Sequence, residues 1–401
     1  MSEWRETNFG EVIDVINGFA FKSANFLENM TTNSLPVIKI KNVANGNVHL
    51  NGVQYHAYSE NLSKYIVKKD DVLVALTGNH PQAETQVVGL TSRYKLDCTA
   101  LINQRVAKVI SKNEETLSTD YIYYFLKDTN THLYLASRSS GSANQANISK
   151  SDIENIPFSL PPENEQQAIA AVLSSLDDKI DLLHRQNKTL EAMAETLFKQ
   201  WFVVEAREDW EDWEEKPLSQ VANFLNGLAC QKYPPENAID KFPVLKIREL
   251  NSGISESSDW ASSTIKPEYI VENGDIIFAW SASLMVKVWH GETCILNQHL
   301  FKVTSTEFPK WFYLMWCKHH LDEFISISSS HATTMGHIKR GDLDNAMVLI
   351  PTVEELEIMT LKMTPILNKQ IANQKQIQTL ETLRDNLLPK LMSGEIRVSC
   401  L

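Results

Sequence analysis

The sequence predicts an α+β protein made of two copies of one mixed α/β domain, each copy followed by a long helix. Three observations carry that expectation. Matched segments recur in the same order roughly 200 residues apart. The front of each copy alternates short Val- and Ile-rich runs with turn residues, as strands do. The back of each copy carries apolar residues in alternating steps of three and four, the pattern of a heptad helix.

The repeat comes first. Trp4, Phe9, Val12 and Asn17-Gly18 return 209 positions later as Trp213, Leu218, Val221 and Asn226-Gly227. Leu35-Pro36-Val37-Ile38-Lys39-Ile40 returns at 207 as Phe242-Pro243-Val244-Leu245-Lys246-Ile247. Tyr65-Ile66-Val67 with Asp71-Val72-Leu73 returns at 204 as Tyr269-Ile270-Val271 with Asp275-Ile276-Ile277. Leu101-Ile102-Asn103-Gln104 returns at 194 as Ile295-Leu296-Asn297-Gln298. Ile148, Asp152, Pro161 and Glu165 return at 190 as Ile338, Asp342, Pro351 and Glu355. The offset falls steadily, so the second copy is the same unit with shortened loops, and a period of this size means duplicated domains rather than a solenoid.

Residues 1–162 form the first domain, with strands expected at 36–40, 71–76 and 100–110 and a short helix at 120–127. Residues 163–202 form the first long helix, whose seam reads Leu173, Leu176, Ile180, Leu183, Asn187, Leu190, Ala194, Leu197 and Trp201. Residues 203–217 read as a linker; 205–216 hold seven acidic residues and two Trp, a charge expected to stay solvated. Residues 218–352 form the second domain, with strands at 243–247 and 275–280 and a helix at 308–318. Residues 353–401 hold the second long helix, with the seam Met363, Ile366, Gln370, Asn373, Ile377, Leu380, Arg384, Leu387 and Leu391. A capping box, Thr352 with Glu355, opens it and Gly394 stops it. The polar seam residues Asn187, Gln370 and Asn373 either fix the register or face solvent where the seam frays.

Composition narrows the function classes. With 43% hydrophobic and 22% charged residues over 401, the chain has ample material for real cores and is neither disordered nor low-complexity. No apolar run approaches the ~20 residues of a membrane span, and the Met1-Ser2-Glu3-Trp4-Arg5-Glu6 start lacks a signal-peptide pattern. Five cysteines form no CxxC pair, and their odd number argues against a disulfide framework. A soluble, cytoplasmic protein is expected. The net charge of −12 is unevenly spread: −1 over 1–162, −3 over 163–201, −5 over 202–217, −3 over 218–351 and 0 over 352–401. Both domains are thus close to neutral, so a DNA-binding role would draw part of its phosphate attraction from a more basic partner.

The chain holds no credible catalytic constellation. There is no Gly-Lys pair for a phosphate loop, no G-x-G-x-x-G, no H-E-x-x-H and no G-x-S-x-G. Pro161-Pro162 and Pro234-Pro235 lack the flanking polar and aromatic residues of a base-methyltransferase motif. His290, Cys294, His299, Cys317, His319 and His320 fit no zinc spacing and read as buried thiols and structural histidines. Asp177-Asp178-Lys179 has the look of a nuclease fragment, but is expected on the outward, charged side of the first long helix. What remains are polar loops that recur in both copies: 77–82 with 281–283, Asn103-Gln104-Arg105 with Asn297-Gln298-His299, and 139–145 with 328–334. Their Asn, Gln, His, Ser, Thr and Arg are the types that bond base edges and phosphates, and are also ordinary loop residues.

These segments resemble the specificity subunits of type I restriction-modification systems along essentially the whole chain. The most specific stretch is Leu160-Pro161-Pro162-Glu163-Asn164-Glu165-Gln166-Gln167-Ala168-Ile169, with Leu176-Asp177-Asp178-Lys179-Ile180, Leu190-Glu191-Ala192-Met193-Ala194 and Leu197-Phe198-Lys199-Gln200-Trp201-Phe202. Leu387-Leu388-Pro389-Lys390-Leu391-Met392-Ser393-Gly394-Glu395-Ile396 is equally typical. The second copy departs at Thr352-Val353, where Pro-Leu is common, and at Leu356, where Gln is usual. The resemblance implies two target recognition domains separated by two long helices that pair as an antiparallel coiled coil, with pseudo-two-fold symmetry. It implies a non-catalytic subunit that joins two methyltransferase subunits and, with restriction and translocase subunits, reads a bipartite site in double-stranded DNA. S-adenosylmethionine, ATP and Mg are then expected on the partners and no cofactor on this chain. An orphan or regulatory specificity subunit, and a duplicated scaffold that binds no DNA, are the alternatives.

On that reading the base-contacting candidates are Thr77, Asn79, His80, Gln82, Arg105, Asn144 and Gln145 in the first domain. In the second they are Ser281, Ser283, His299, His331, Thr333 and Thr334. Lys39, Lys41, Lys246 and Arg248 are the phosphate candidates, and no metal site is expected. The helix faces outside the seam, around 165–169 and 355–359, are the candidate methyltransferase contacts. A 38-residue helix over 164–201 would be ~57 Å long at ~1.5 Å per residue, long enough to act as a ruler between half-sites. The repeat of the duplex favours a spacing near one turn, about 10 bp.

Overall fold

A computed structural model describes residues 4–43, 46–78, 87–140, 146–204, 212–330 and 336–398. The chain divides into two compact units, Met1–Lys179 with Leu380–Leu401, and Ile180–Thr379.

In the first unit an antiparallel sheet runs in the order Ile13–Asn17, Val106–Ser111, Val72–Ala75, Thr91–Arg93. A second sheet runs Gln54–Ala57, Ser34–Ile38, Ala100–Ile102, Ile66–Val67, with one parallel pair between Ser34–Ile38 and Ala100–Ile102. Arg5–Asn8 pairs with Pro157–Leu160 and closes the domain on itself. The central strand Val72–Ala75 is apolar at every position because both its faces are covered. Val72 and Val74 enter one core with the helix Thr119–Lys127, while Leu73 and Ala75 enter a second core with Ile38 and Tyr94.

The second unit repeats this plan strand for strand. Its sheets run Asn223–Asn226, Leu300–Thr304, Ile276–Ala279, Met285–Val288 and Trp260–Ser262, Lys241–Leu245, Cys294–Leu296, Ile270–Val271. The single parallel pair falls in the same place. Ile276 and Phe278 face the core under the helix Lys310–His319, and Ile277 and Ala279 face the other core. The strand Glu214–Pro217, expected within the acidic linker, instead pairs with Met347–Ile350 and is the counterpart of Arg5–Asn8. The repeated tryptophans explain themselves here: Trp4 Nε1 donates to Glu165 at 2.9 Å and Trp213 Nε1 to Glu355 at 2.7 Å. Each bond ties the start of a domain to the start of the helix that follows it.

The strand expected over 100–110 is two strands, Ala100–Ile102 and Val106–Ser111, in different sheets. The cause is Gly18. Its amide donates to the Val106 carbonyl, Phe19 N to Ile102 and Gln104 N to Phe19, which pulls the chain through a turn at Asn103-Gln104-Arg105. A Cβ on Gly18 would collide with the Asn103 carbonyl. The second copy repeats the device, with Gly227 against the Asn297 carbonyl and the same three amide bonds. The recurring Asn-Gly and Asn-Gln pairs are therefore two halves of one corner.

The long helices are Glu163–Lys199, followed by a π-helical turn at Gln200–Val204, and Val353–Met392. Within each unit their segments run antiparallel. In the first, Ile169 and Leu173 pack with Leu388 and Leu391, and Asp177 bonds Arg384. In the second, Asn187 meets Gln370 and Asn373, and Lys362 lies over the Trp201 ring. Asn373 is buried and donates to Asn187 Oδ1 at 3.0 Å, while its own Oδ1 has no partner. Asn373 thus sits inside the seam, and the half-buried Asn187 and Gln370 bond across it. Thr352 Oγ1 donates to Glu355 and Glu355 N to Thr352 Oγ1, completing the capping box. Gly394 takes φ +71° just past the last turn, a conformation that favours glycine.

Asp177 is not on an outward face. It is enclosed by Lys127 Nζ at 3.4 Å, Tyr124 Oη at 3.1 Å and Arg384 Nη1 at 2.9 Å. Burial alone would raise its carboxyl, but Lys127, Arg384 and Tyr124 outweigh that and hold it below the usual carboxylate range. Cys230, Cys294 and Cys317 are buried thiols, and burial pulls His290 down to about 4. Among the described residues, no helix is long and apolar enough to cross a membrane, and no group of His, Cys, Asp and Glu is arranged to hold a metal ion.

Candidate nucleic-acid interface

The corner at Asn103-Gln104-Arg105 and the turn after Ser34–Ile38 open a surface hollow lined by Phe21, Phe26, Lys39, Lys41, Gln104 and Arg105. The structure thus gathers three of the candidates, Lys39, Lys41 and Arg105. Each lysine is held without a direct carboxylate partner among the described residues. Lys39 Nζ donates to Gln54 Oε1 at 2.7 Å and lies 4.1 Å from the Phe26 ring centroid. Lys41 Nζ donates to the Gly52 carbonyl at 2.7 Å. Gln54 passes its other end to Glu28 at 2.7 Å, so the nearest acid stands one side chain back. Burial, reinforced by the charge of Lys41 and opposed by Glu28, pulls the Lys39 ammonium below its ordinary value. Asn42, fully buried, caps the turn by accepting from Lys39 N at 3.0 Å.

The matched positions of the second domain are chemically different. Lys246 is paired with Asp259. Arg248 donates twice to Glu249, at 2.9 and 2.8 Å, and once to the Ser257 carbonyl. Glu249, buried, takes the place of Asn42, capping Lys246 N at 3.3 Å. Asp259 takes the place of Gln54: the strand register sets Gln54 opposite Val37, and Val244 N bonds the Asp259 carbonyl. His299 stands where Arg105 stands, with Nδ1 3.2 Å from Ser281 Oγ. Trp280 adjoins it, donating to Asn226 Oδ1 at 3.2 Å and close to the His299 and His337 rings.

The remaining candidates divide. Thr77 is buried and donates to Asn147 at 2.8 Å, where Thr77–Gly78 pairs with Ala146–Asn147, so its hydroxyl is committed within the domain. Ser281 is likewise buried, in a bridge with His337, while Ser283 is exposed just past Ala282, whose φ is +57°. Asn79, His80, Gln82, Asn144, Gln145, His331, Thr333 and Thr334 lie outside the described residues. Sequence reasoning missed Gln54, Phe26, Trp280, Asp259 and Glu249. Glu249 was findable from the 207-residue offset that pairs it with Asn42. Asp259 was not, because a shortened loop shifts it out of that offset.

In the two stretches expected to offer methyltransferase contacts, Gln167, Glu357 and Ile358 are exposed, while other residues are spent inward. Glu165 accepts from Trp4 and Arg397, and Gln166 is buried against Ser118, Thr116 and Pro161. Ile169 and Met359 are core residues. On the second helix the outward side carries Val353, Ile358 and Leu361, all exposed.

A duplicated α+β chain in which each domain turns at an Asn-Gln corner and packs against long-helix segments defines the class. The type I restriction modification DNA specificity domain family matches residues 1–192 and 210–382, and the chain belongs to that family. It is 27% identical to the MjaIX type I restriction enzyme specificity subunit of Methanocaldococcus jannaschii, over 99% of this chain and 97% of that protein. It is 21% identical to the HindI specificity subunit of Haemophilus influenzae, over 99% of this chain and all of that protein. The crystal structure of a type I restriction-modification S subunit from M. genitalium has the same fold, with a TM-score of 0.60, 16% identity and coverage of 97% of this chain and 96% of that one.

Proposed function

We propose that this chain is the DNA-specificity subunit of a type I restriction-modification complex. Residues 1–162 and a second domain that begins with the strand Glu214–Pro217 are the two recognition domains, and each reads one half of a bipartite site. The observation that supports this best is the strand-for-strand duplication, with the same glycine-backed Asn-Gln corner in each domain. Two copies of one reader on one chain suit a site split in two. The subunit itself is non-catalytic, and the chemistry belongs to methyltransferase and restriction subunits that carry S-adenosylmethionine, ATP and Mg. Methyltransferases dock on the outward sides of the long helices around 165–169 and 355–359, where Val353, Ile358 and Leu361 are exposed. The first long helix and its partner set the spacer between half-sites.

The test is co-expression with the methyltransferase subunits, followed by single-molecule sequencing of host DNA for N6-methyladenine. A single split motif with a fixed spacer is the expected result. A stable complex that methylates no new motif would reject the specificity role. Inserting two heptads into both long helices should lengthen the spacer and leave both half-sites unchanged; an unchanged spacer would reject the ruler.

A further inference from the structure

The two domains carry matched cations with unmatched partners. Lys39 and Lys41 are held by a side-chain amide and a backbone carbonyl. At the same positions Lys246 and Arg248 are held by carboxylates. At both places an amide gives way to a carboxylate: the amide of Gln54 becomes the carboxylate of Asp259, and the amide of Asn42 becomes the carboxylate of Glu249. Arg105 becomes His299 at the third matched position. An ammonium has three donors, and Lys39 and Lys41 each spend one of them on the partner described. The side chain of Asp259 is 63% exposed, so its charge faces the surface that the duplex would approach.

We infer that the two domains grip DNA unequally: Lys39, Lys41 and Arg105 supply phosphate attraction in the first, while Asp259 and Glu249 cancel it at the matched positions of the second. The inference rests on the DNA-reading function proposed above and adds to it which residues set the affinity of each half. The Lys246–Asp259 and Arg248–Glu249 pairs bring no net charge to the backbone, and any phosphate there meets Asp259 as well as Lys246. The second domain then depends on other groups, such as Trp280, Ser283 and His299, to hold its half-site. Counterion release makes the difference measurable, because each neutralised phosphate adds about 0.9 to the slope of log affinity against log salt.

The experiment is a fluorescence anisotropy titration of the complete complex, this chain with its methyltransferase subunits, on a duplex carrying the methylated motif, between about 50 and 200 mM KCl. Lys39→Gln with Lys41→Gln should lower the slope by ~1.8, so that the affinity deficit of this variant shrinks roughly 12-fold across that range. Lys246→Gln with Arg248→Gln should lower it by less than ~0.5, and Asp259→Asn should raise it by up to ~0.9. A loss from the second pair as large as from the first overturns the inference, as does an Asp259→Asn slope no steeper than wild type. Asp259 lies at the surface, so that single variant keeps the inference falsifiable even where a double variant fails to fold. A wild-type complex that binds every duplex alike overturns the specificity reading itself, a result distinct from equal slopes on a genuine motif.

Discussion

Lys127 in the first copy and Lys318 in the second occupy matched positions on the helix that packs against the long-helix segments, yet their surroundings differ. Around Lys127 the contact is polar, with Tyr124, Asp177 and Arg384 bonded at 2.9 to 3.4 Å. The residues matched to those three are Met315, Leu367 and Ala194. They line a small apolar hollow, while Lys318 turns to Glu191 at 2.5 Å. One copy holds its domain to the helices with a desolvated charge cluster and the other with hydrocarbon. A buried charge cluster is intolerant of losing a member, because the remaining charges are stranded; an apolar contact loses only transfer energy and leaves a cavity. The same backbone geometry therefore gives two stabilities with different dependence on pH and salt.

Removing the centre of the polar cluster should have the largest effect. Asp177→Ala leaves Lys127 and Arg384 buried together and should cost about 4 kcal/mol in urea unfolding. Because the folded Asp177 carboxyl titrates below its unfolded value, its stabilisation is present above about pH 4 and is lost as pH falls through the folded pKa. The variant should accordingly show a weaker acid dependence than wild type, and an unchanged acid dependence would sink the cluster as a stabilising device. Leu367→Ala should cost about 3 kcal/mol with no change in acid dependence. If its loss varied with pH like that of Asp177, the contrast between the two contacts would fail.

Where the copies agree, the effects should agree. Gly18→Ala and Gly227→Ala each force a Cβ against an Asn carbonyl and should each destabilise by about 2 kcal/mol. Unequal costs would show that one corner yields where the other does not. The smallest effect belongs to the seam, where the Asn187–Asn373 layer corresponds to Ile377 and Leu183 in the repeat. Asn187→Ile with Asn373→Leu should raise stability by about 1 kcal/mol, while loosening helix register. Cysteine cross-linking across the helix segments should then trap more than one pairing, and a single pairing would count against a register role.

Much of the fold could be read from the chain because duplication prints its own boundaries. Offsets between Asn17-Gly18 and Asn226-Gly227, or Pro161 and Pro351, mark strands and helices that recur in both copies. The capping box at Thr352 and the stop at Gly394 are local chemistry and were legible for that reason. What escaped was chemistry made by distant partners. Periodicity put Asp177 on the outward side of the first long helix, because nothing local says that Arg384, 207 residues away, reaches it. It gave 100–110 as one strand because the residues that break it, Gly18 and Phe19, lie some 80 residues earlier. At the site, residue type alone could not separate Thr77, whose hydroxyl is spent on Asn147, from Arg105, which stands exposed at the hollow.

The tie between Glu165 and Arg397, together with the packing of Leu388 and Leu391 against Ile169 and Leu173, has a consequence for how the molecule is made. The unit that contains the first domain is discontinuous, and it needs residues 380–401 to finish its core. The other unit is an unbroken stretch, 180–379. On the ribosome the later-translated domain therefore has all its parts first. The earlier one emerges with the Ile169 and Leu173 side of its first long helix uncovered, and waits through some 200 residues of synthesis for the segment that covers it.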